Sequence, residues 1–144
     1  MSRSVLIALA AITTVIAVRQ GTAQTPPAPT SVWSGVYSTE QAARGKKLYV
    51  RDCAKCHGES LLGGEGGPAL AGKEFMLQYD KRSVGALFDV MQTTMPDENP
   101  GSLSTRQYAD LVAFVLSENG FPAGKTDLSN VLAALTGIQI GPKP

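Results

Sequence analysis

Cys53-Ala54-Lys55-Cys56-His57 brings two thiols and an imidazole together within one short run. A Cys-x-x-Cys pair followed at once by histidine is the attachment signature of a covalently bound haem. Each thiol can add to a porphyrin vinyl group to give a thioether, and the short tether holds the imidazole beneath the iron as its proximal ligand. The bare pair could also serve a thioredoxin-like redox couple or half of a zinc site. With 2 cysteines and 1 histidine in the chain, zinc would have to recruit carboxylates. A redox couple belongs at the start of a helix after a strand, inside an alternating strand–helix pattern, and none surrounds this motif. A haem-free protein with a Cys53–Cys56 disulfide is the main alternative to haem attachment.

The sole histidine is used by the motif, so bis-histidine ligation within one chain is excluded. The sixth position falls to methionine, to a weaker ligand such as lysine, or to nothing permanent. Met76, Met91 and Met95 are the methionines beyond the N-terminal segment. Met91 lies on the apolar stripe of an expected helix and reads as core filling. Met76 sits in a short helical turn, Glu74 to Tyr79, with no device to aim it. Met95 follows a helix and precedes Pro96, which turns the chain out of helical geometry. The loop from Met95 to Leu103 can carry a side chain across a haem face, and Pro96 and Pro100 reduce the entropy lost in ordering it. Met95 is therefore the candidate sixth ligand, and His57 and Met95 are the candidate iron ligands.

Between Gly58 and Gly72 the chain is glycine-rich. It is not a phosphate cradle, since the Lys-Ser/Thr of a P-loop is missing and no strand precedes it. A loop lying on a flat macrocycle needs residues without bulk, which glycine supplies. The carbonyl of Pro68 is a candidate acceptor for the His57 ring nitrogen that does not face the iron, a contact that would orient the imidazole. A simple rigid turn explains the same residues equally well.

The elements that must position these groups read as helices. Ser38 opens a Ser-x-x-Gln capping box with Gln41 and a helix to about Asp52. Ala42, Gly45, Tyr49 and Cys53 share one face of it. Arg44, Lys47, Arg51 and Lys55 share the opposite face, as a docking stripe for an acidic partner or as an ordinary solvated side. Gly45 costs about 1 kcal/mol inside a helix relative to alanine, which close approach of another helix would offset. Ser83 to Thr94 aligns Val84, Leu87, Phe88 and Met91. Ser104 and Gln107 form a second box before a helix that buries Tyr108, Leu111, Val112 and Val115 and stops near Asn119-Gly120, ahead of Pro122. Leu128, Val131, Leu132 and Leu135 suggest a short terminal helix. No convincing strand is found, so the fold class is all-α.

At the N-terminus, Arg3 and the apolar run Val5 to Val18, followed by Gly21 and Ala23, read as a signal peptide over residues 1–23. The run is shorter than the roughly 20 residues of a membrane span. Export to the periplasm with cleavage near Ala23 is expected, and membrane contact only if the segment stays uncleaved. Residues 24–37 read as a Pro-rich spacer and lead-in, 38–122 as the haem domain, and 123–144 as a C-terminal extension with a short helix. Losing Arg3 and Arg19 turns a formal charge of +1 slightly negative, which points to no nucleic-acid partner.

The chain resembles the class I cytochromes c. Gly45, Tyr49, the Cys53–His57 motif, Pro68-Ala69-Leu70, Thr94-Met95-Pro96, Leu111 and Phe114 carry the likeness, over roughly residues 38–120. The resemblance implies a first and last helix crossing at the glycine and the aromatics, and one haem c ligated by His57 and Met95. Trp33-Ser-Gly-Val-Tyr37 and Asn119-Gly120-Phe121-Pro122-Ala123-Gly124 are similar to bacterial cytochromes associated with quinoprotein dehydrogenases. The implied function is one-electron transfer between redox proteins, with a dehydrogenase or a terminal oxidase as partner. No catalytic residues are assigned, because no paired carboxylates or Ser/His/Asp set surround the haem site. A haem-based sensor with a labile sixth ligand, and an electron-transfer subunit fixed in a quinoprotein dehydrogenase complex, are the alternatives.

Overall fold

The computed structural model describes residues 30–144; the expected signal segment and the prolines of the spacer lie outside these. Helix α1 spans Thr39–Asp52 and starts where Ser38 Oγ accepts the Gln41 amide at 3.1 Å. A single turn, α2 (Ala54–His57), follows at once. Next come α3 (Gly72–Tyr79), α4 (Val84–Thr94, capped by Ser83) and α5 (Thr105–Glu118). At the head of α5 the Ser104–Gln107 capping box is complete in both directions. The C-terminal part adds α6 (Leu132–Leu135) and a two-residue strand, β2 (Ile138–Gln139), parallel to β1 (Thr30–Ser31). The fold is all-α apart from this pair, which is too short to leave a periodic trace in sequence. Among the described residues no helix is long and apolar enough to cross a membrane.

Helices α1 and α5 cross at Gly45. A Cβ there would sit 1.9 Å from the Asp110 carbonyl oxygen and 2.8 Å from Phe114 Cβ, so only hydrogen fits. Tyr49 and Phe114 close the crossing with ring centroids 5.3 Å apart. Neither the α5 backbone nor a Cβ can swing aside as a flexible side chain would. Gly45→Ala is expected to destabilise the protein by about 3 kcal/mol or more, at or beyond the upper end of ordinary overpacking. Denaturant unfolding of the two proteins checks this.

The ends of the described chain are part of the same core. Val32, Tyr37, Phe121, Leu128, Leu135 and Ile140 are all buried with the helices, so the packing has no break at residues 38 or 122. Residues 123–141 form a strap. Its first part lies on α1, where Gln41 departs from the expected capping box. The Gln41 amide turns away from its own N-terminus and pairs with the Leu128 backbone, donating to its carbonyl at 3.1 Å and accepting its N–H at 2.5 Å. Gln41 is 1% exposed, and a buried amide must find both a donor and an acceptor. The extended strap offers both, and only half of the box at Ser38 forms.

Arg44 leaves the expected basic stripe in the same way. Its guanidinium grips the buried Asp110 of α5 through two 3.0 Å bonds and reaches Asp127 of the strap at 2.5 Å. Ser38 Oγ also donates to Asp127. The strap then runs to α4, where Gly85 leaves room for Leu135 and Thr136. It ends against the β1 side, with the Trp33 indole N–H donating to the Gly141 carbonyl at 2.9 Å. The expected terminal helix shortens accordingly: Leu128 is buried in extended chain, and Val131 and Leu132 stay largely exposed.

The bonds from Ser38 and then Arg44 hold the Asp127 carboxyl below its ordinary value of 3.8. A carboxyl stabilised in its charged form contributes stability above that ordinary value and loses it as pH falls through the lower folded one. Amide exchange at Gly124 and Leu128 is therefore expected to accelerate below about pH 4. Asp127→Asn should remove that acid-linked component.

Candidate functional site

Cys53 ends α1, and α2 begins immediately. The Cys56 and His57 amides both donate to the Cys53 carbonyl, at 3.1 and 3.0 Å. This tight turn presents the two thiols and the imidazole toward one cavity, which all three line. His57 is 7% exposed. Its Nδ1 lies 2.7 Å from the Pro68 carbonyl. A carbonyl only accepts, so Nδ1 carries the proton and the free lone pair resides on Nε2. The imidazole is thereby fixed in the tautomer that can bind a metal through Nε2.

The glycine-rich loop makes this approach feasible. A Cβ on Gly67 would lie 2.7 Å from His57 Cε1 and Nδ1, and one on Gly66 would lie 3.1 Å from Cys56 Sγ. The loop is tied back at two points. Tyr49 donates its hydroxyl to the Gly58 carbonyl at 2.7 Å. Asn119, at the end of α5, donates to the Leu70 carbonyl at 2.9 Å and accepts the Gly72 amide at 3.0 Å. Sequence reasoning saw Asn119 only as a helix stop.

Met95 lines the same cavity as the thiols and His57, and so does Met91. Met76 does not; it packs, partly buried, against the core. Met95 leaves α4 in extended geometry, with φ −125° and ψ 152°. Its carbonyl accepts from the Tyr108 hydroxyl at 2.6 Å, a contact that sequence reasoning missed because Tyr108 read only as part of a buried face. Met91, expected as core filling, is buried but also forms part of the cavity wall.

The cavity encloses about 1150 Å³ of space, counting the solvent at its mouth. Leu70, Leu87, Val90, Leu103, Leu111 and Val115 give it apolar walls. Its size and lining suit a large flat apolar ligand. Two thiols on its lining, one imidazole nitrogen, a thioether sulfur and a glycine cradle together form the donor set that a covalent haem requires. The other two chemistries fit less well. Burial, then the negative charge of Asp52, pushes the Cys53 thiol up to about 11, whereas redox-active thiols are lowered. Among the described residues no group of three or more His, Cys, Asp and Glu side chains is arranged to hold a metal ion.

Two of the four cations of the expected docking stripe are held within the chain. Besides Arg44, Arg51 binds its neighbour Asp52 through two bonds of 2.7 and 2.6 Å. Lys55 lies 3.9 Å from Glu98 with both side chains exposed, a pairing worth little.

Residues 40–115 match the family model described as cytochrome c oxidase, cbb3-type, subunit III. The crystal structure of the sulfane dehydrogenase SoxCD from Paracoccus pantotrophus contains a similar chain, with a TM-score of 0.53 and 24% identity. The match covers 68% of this chain and 52% of that one, so this protein spans about half the length of the solved chain. At that identity the likeness speaks for the fold alone. Comparison with curated proteins gives no match. The family match runs from the first turn of α1 through the Cys53–His57 motif and Met95 into the last turn of α5, over more than half of the sequence. The chain belongs to that family and is a class I c-type cytochrome.

Proposed function

We propose that this protein is a periplasmic carrier of single electrons, working through one haem c. Cys53 and Cys56 would hold the haem as thioethers, and His57 Nε2 and Met95 Sδ would hold its iron. The observation that carries the reading is the convergence of both thiols, the Pro68-oriented imidazole and Met95 on one apolar cavity. When bound, the haem supplies an iron that cycles between the ferrous and ferric states.

The side chains do the rest. With His57 Nε2 and Met95 Sδ both holding the iron, a small molecule would find no open place on it to bind and react. The soft Met95 sulfur favours the ferrous form relative to a second histidine. The apolar walls exclude water and disfavour the more highly charged ferric form. The result is electron exchange with little rearrangement, and no chemistry on a substrate.

Electron donor and acceptor would be redox proteins. We take a dehydrogenase on one side and an oxidase on the other, in keeping with the sulfane dehydrogenase that holds the similar chain and with the family's oxidase-subunit description. An electron-transfer subunit held in a dehydrogenase complex is the second reading that the same likeness favours.

Expression in a host that matures covalent haem tests the proposal. A pyridine haemochrome spectrum should show one haem c per chain. Potentiometric titration should follow a one-electron curve, and the ferrous protein should not bind carbon monoxide at neutral pH. A colourless product would refute the haem reading. Rapid, complete carbon monoxide binding would replace the carrier with a sensor.

A further inference from the structure

One part of the cavity wall is polar and is used by neither the thiols nor the axial candidates. Gln78 and Tyr79, in the last turn of α3, both line the cavity. Tyr79 is 3% exposed. Its ring stacks on Phe75 at a centroid distance of 5.0 Å, and the Arg82 guanidinium carbon lies 5.1 Å from its centroid. A ring held in this way has little freedom to turn its hydroxyl elsewhere. That hydroxyl has no hydrogen-bond partner among the described residues, yet no unpartnered side-chain polar atom is sealed from solvent space. The hydroxyl therefore reaches solvent space, on a residue that lines the cavity. Burial raises its pKa, so it stays protonated and can donate.

The remaining polar groups on the lining are committed or carry the wrong sign. The Tyr49 hydroxyl is spent on Gly58 and the Tyr108 hydroxyl on Met95. Asp52 is bound by Arg51, and Asp97 is itself an acid. Among the described residues no lysine or arginine lines the cavity. A haem brings two carboxylates, on the side of the ring away from its vinyl groups, and the thiols claim the vinyl side. Asp52 adjoins Cys53 and Asp97 adjoins Pro96, so negative charge sits beside the attachment and methionine residues and repels further anions. A buried carboxylate needs donors, and charge-assisted bonds are the stronger kind.

We propose that Tyr79 and Gln78 form the subsite for the haem carboxylates, with Arg82 behind the Tyr79 ring supplying the favourable field. This rests on the haem reading above. The carboxylates would thus accept from two neutral donors, with one cation outside the cavity and no direct ion pair.

The test uses the mature haem protein carrying Tyr79→Phe, Gln78→Leu or Arg82→Gln. Removing a donor leaves carboxylate charge less compensated, which favours ferric iron. Each of the first two variants should shift the ferric-to-ferrous equilibrium toward ferric by about threefold to tenfold, tenfold being about 59 mV for one electron. The carboxylate bending band in the resonance Raman spectrum should move in both. Tyr37→Phe, whose hydroxyl is spent on the Phe121 carbonyl, should leave band and potential unchanged. Wild-type band and potential in both Tyr79→Phe and Gln78→Leu would overturn the subsite. Should Tyr79→Phe fail to fold, the exposed Gln78 decides the question alone. A haemochrome spectrum without haem c would refute the function reading itself, whereas attached haem with unmoved spectra would refute only the subsite.

Discussion

Replacing both Cys53 and Cys56 with serine is expected to give a colourless protein that no longer folds stably. In the proposed haem reading, the two thioethers would be the only covalent hold on the cofactor. Without haem the cavity walls, from Leu70 to Val115, face open solvent space. Apolar surface left in water forfeits about 25 cal/mol per Å². Because α1, α3, α4 and α5 all contribute to these walls, the loss spreads through the whole core. It should come to about 4 kcal/mol, a large share of the stability of a small domain. Visible absorption and far-UV circular dichroism on heating measure both effects. Either single replacement should keep colour through one thioether, with a shifted haemochrome band. A well-folded, colourless double variant would show that the helices pack without the cofactor.

Met95→Ala is expected to change the spectrum in an all-or-none way. The weak far-red charge-transfer band of the oxidised protein should vanish, the ferrous form should bind carbon monoxide fully, and the potential should fall. In the proposed ligation the bond at risk would be a weak iron–thioether contact, dependent on how the chain is held after α4. Tyr108, bonded to the Met95 carbonyl at 2.6 Å, is the side chain that holds it. Tyr108→Phe removes this bond without opening a cavity and should weaken the band partially. Met91 lines the same cavity, so Met91→Ala is the informative control. If that variant alone loses the band, Met91 is the ligand.

Sequence captured the parts of this molecule whose meaning is local. The two cysteines and the histidine are adjacent, so their joint chemistry can be read before any fold is known. Ser38, Ser83 and Ser104 lie within three residues of the amides they cap, and all three mark helix starts. Gly45 was legible because a helix-interior glycine demands a reason, and the α5 backbone provides it. What stayed hidden depends on a remote partner. Gln41 satisfied every local rule for a capping box, yet burial against Leu128 decided its hydrogen bonds. Arg44 looked like one of four cations on a wet face until Asp110 and Asp127 claimed it. Tyr79 and Tyr108 were indistinguishable from other buried aromatics, because their hydroxyls have meaning only relative to the cavity.

The contact between Trp33 and Gly141 joins positions 108 residues apart. Closing so large a loop costs entropy before any contact repays it, so this clasp should form after the local helices in folding. Thr30 and Ile138 pair side by side in parallel, which means the polypeptide enters and leaves the domain heading the same way. The helices that enclose the cavity can therefore assemble while the clasp is still undone. Were the chain exported as proposed, the Cys53–His57 turn would be presented well before this clasp closes.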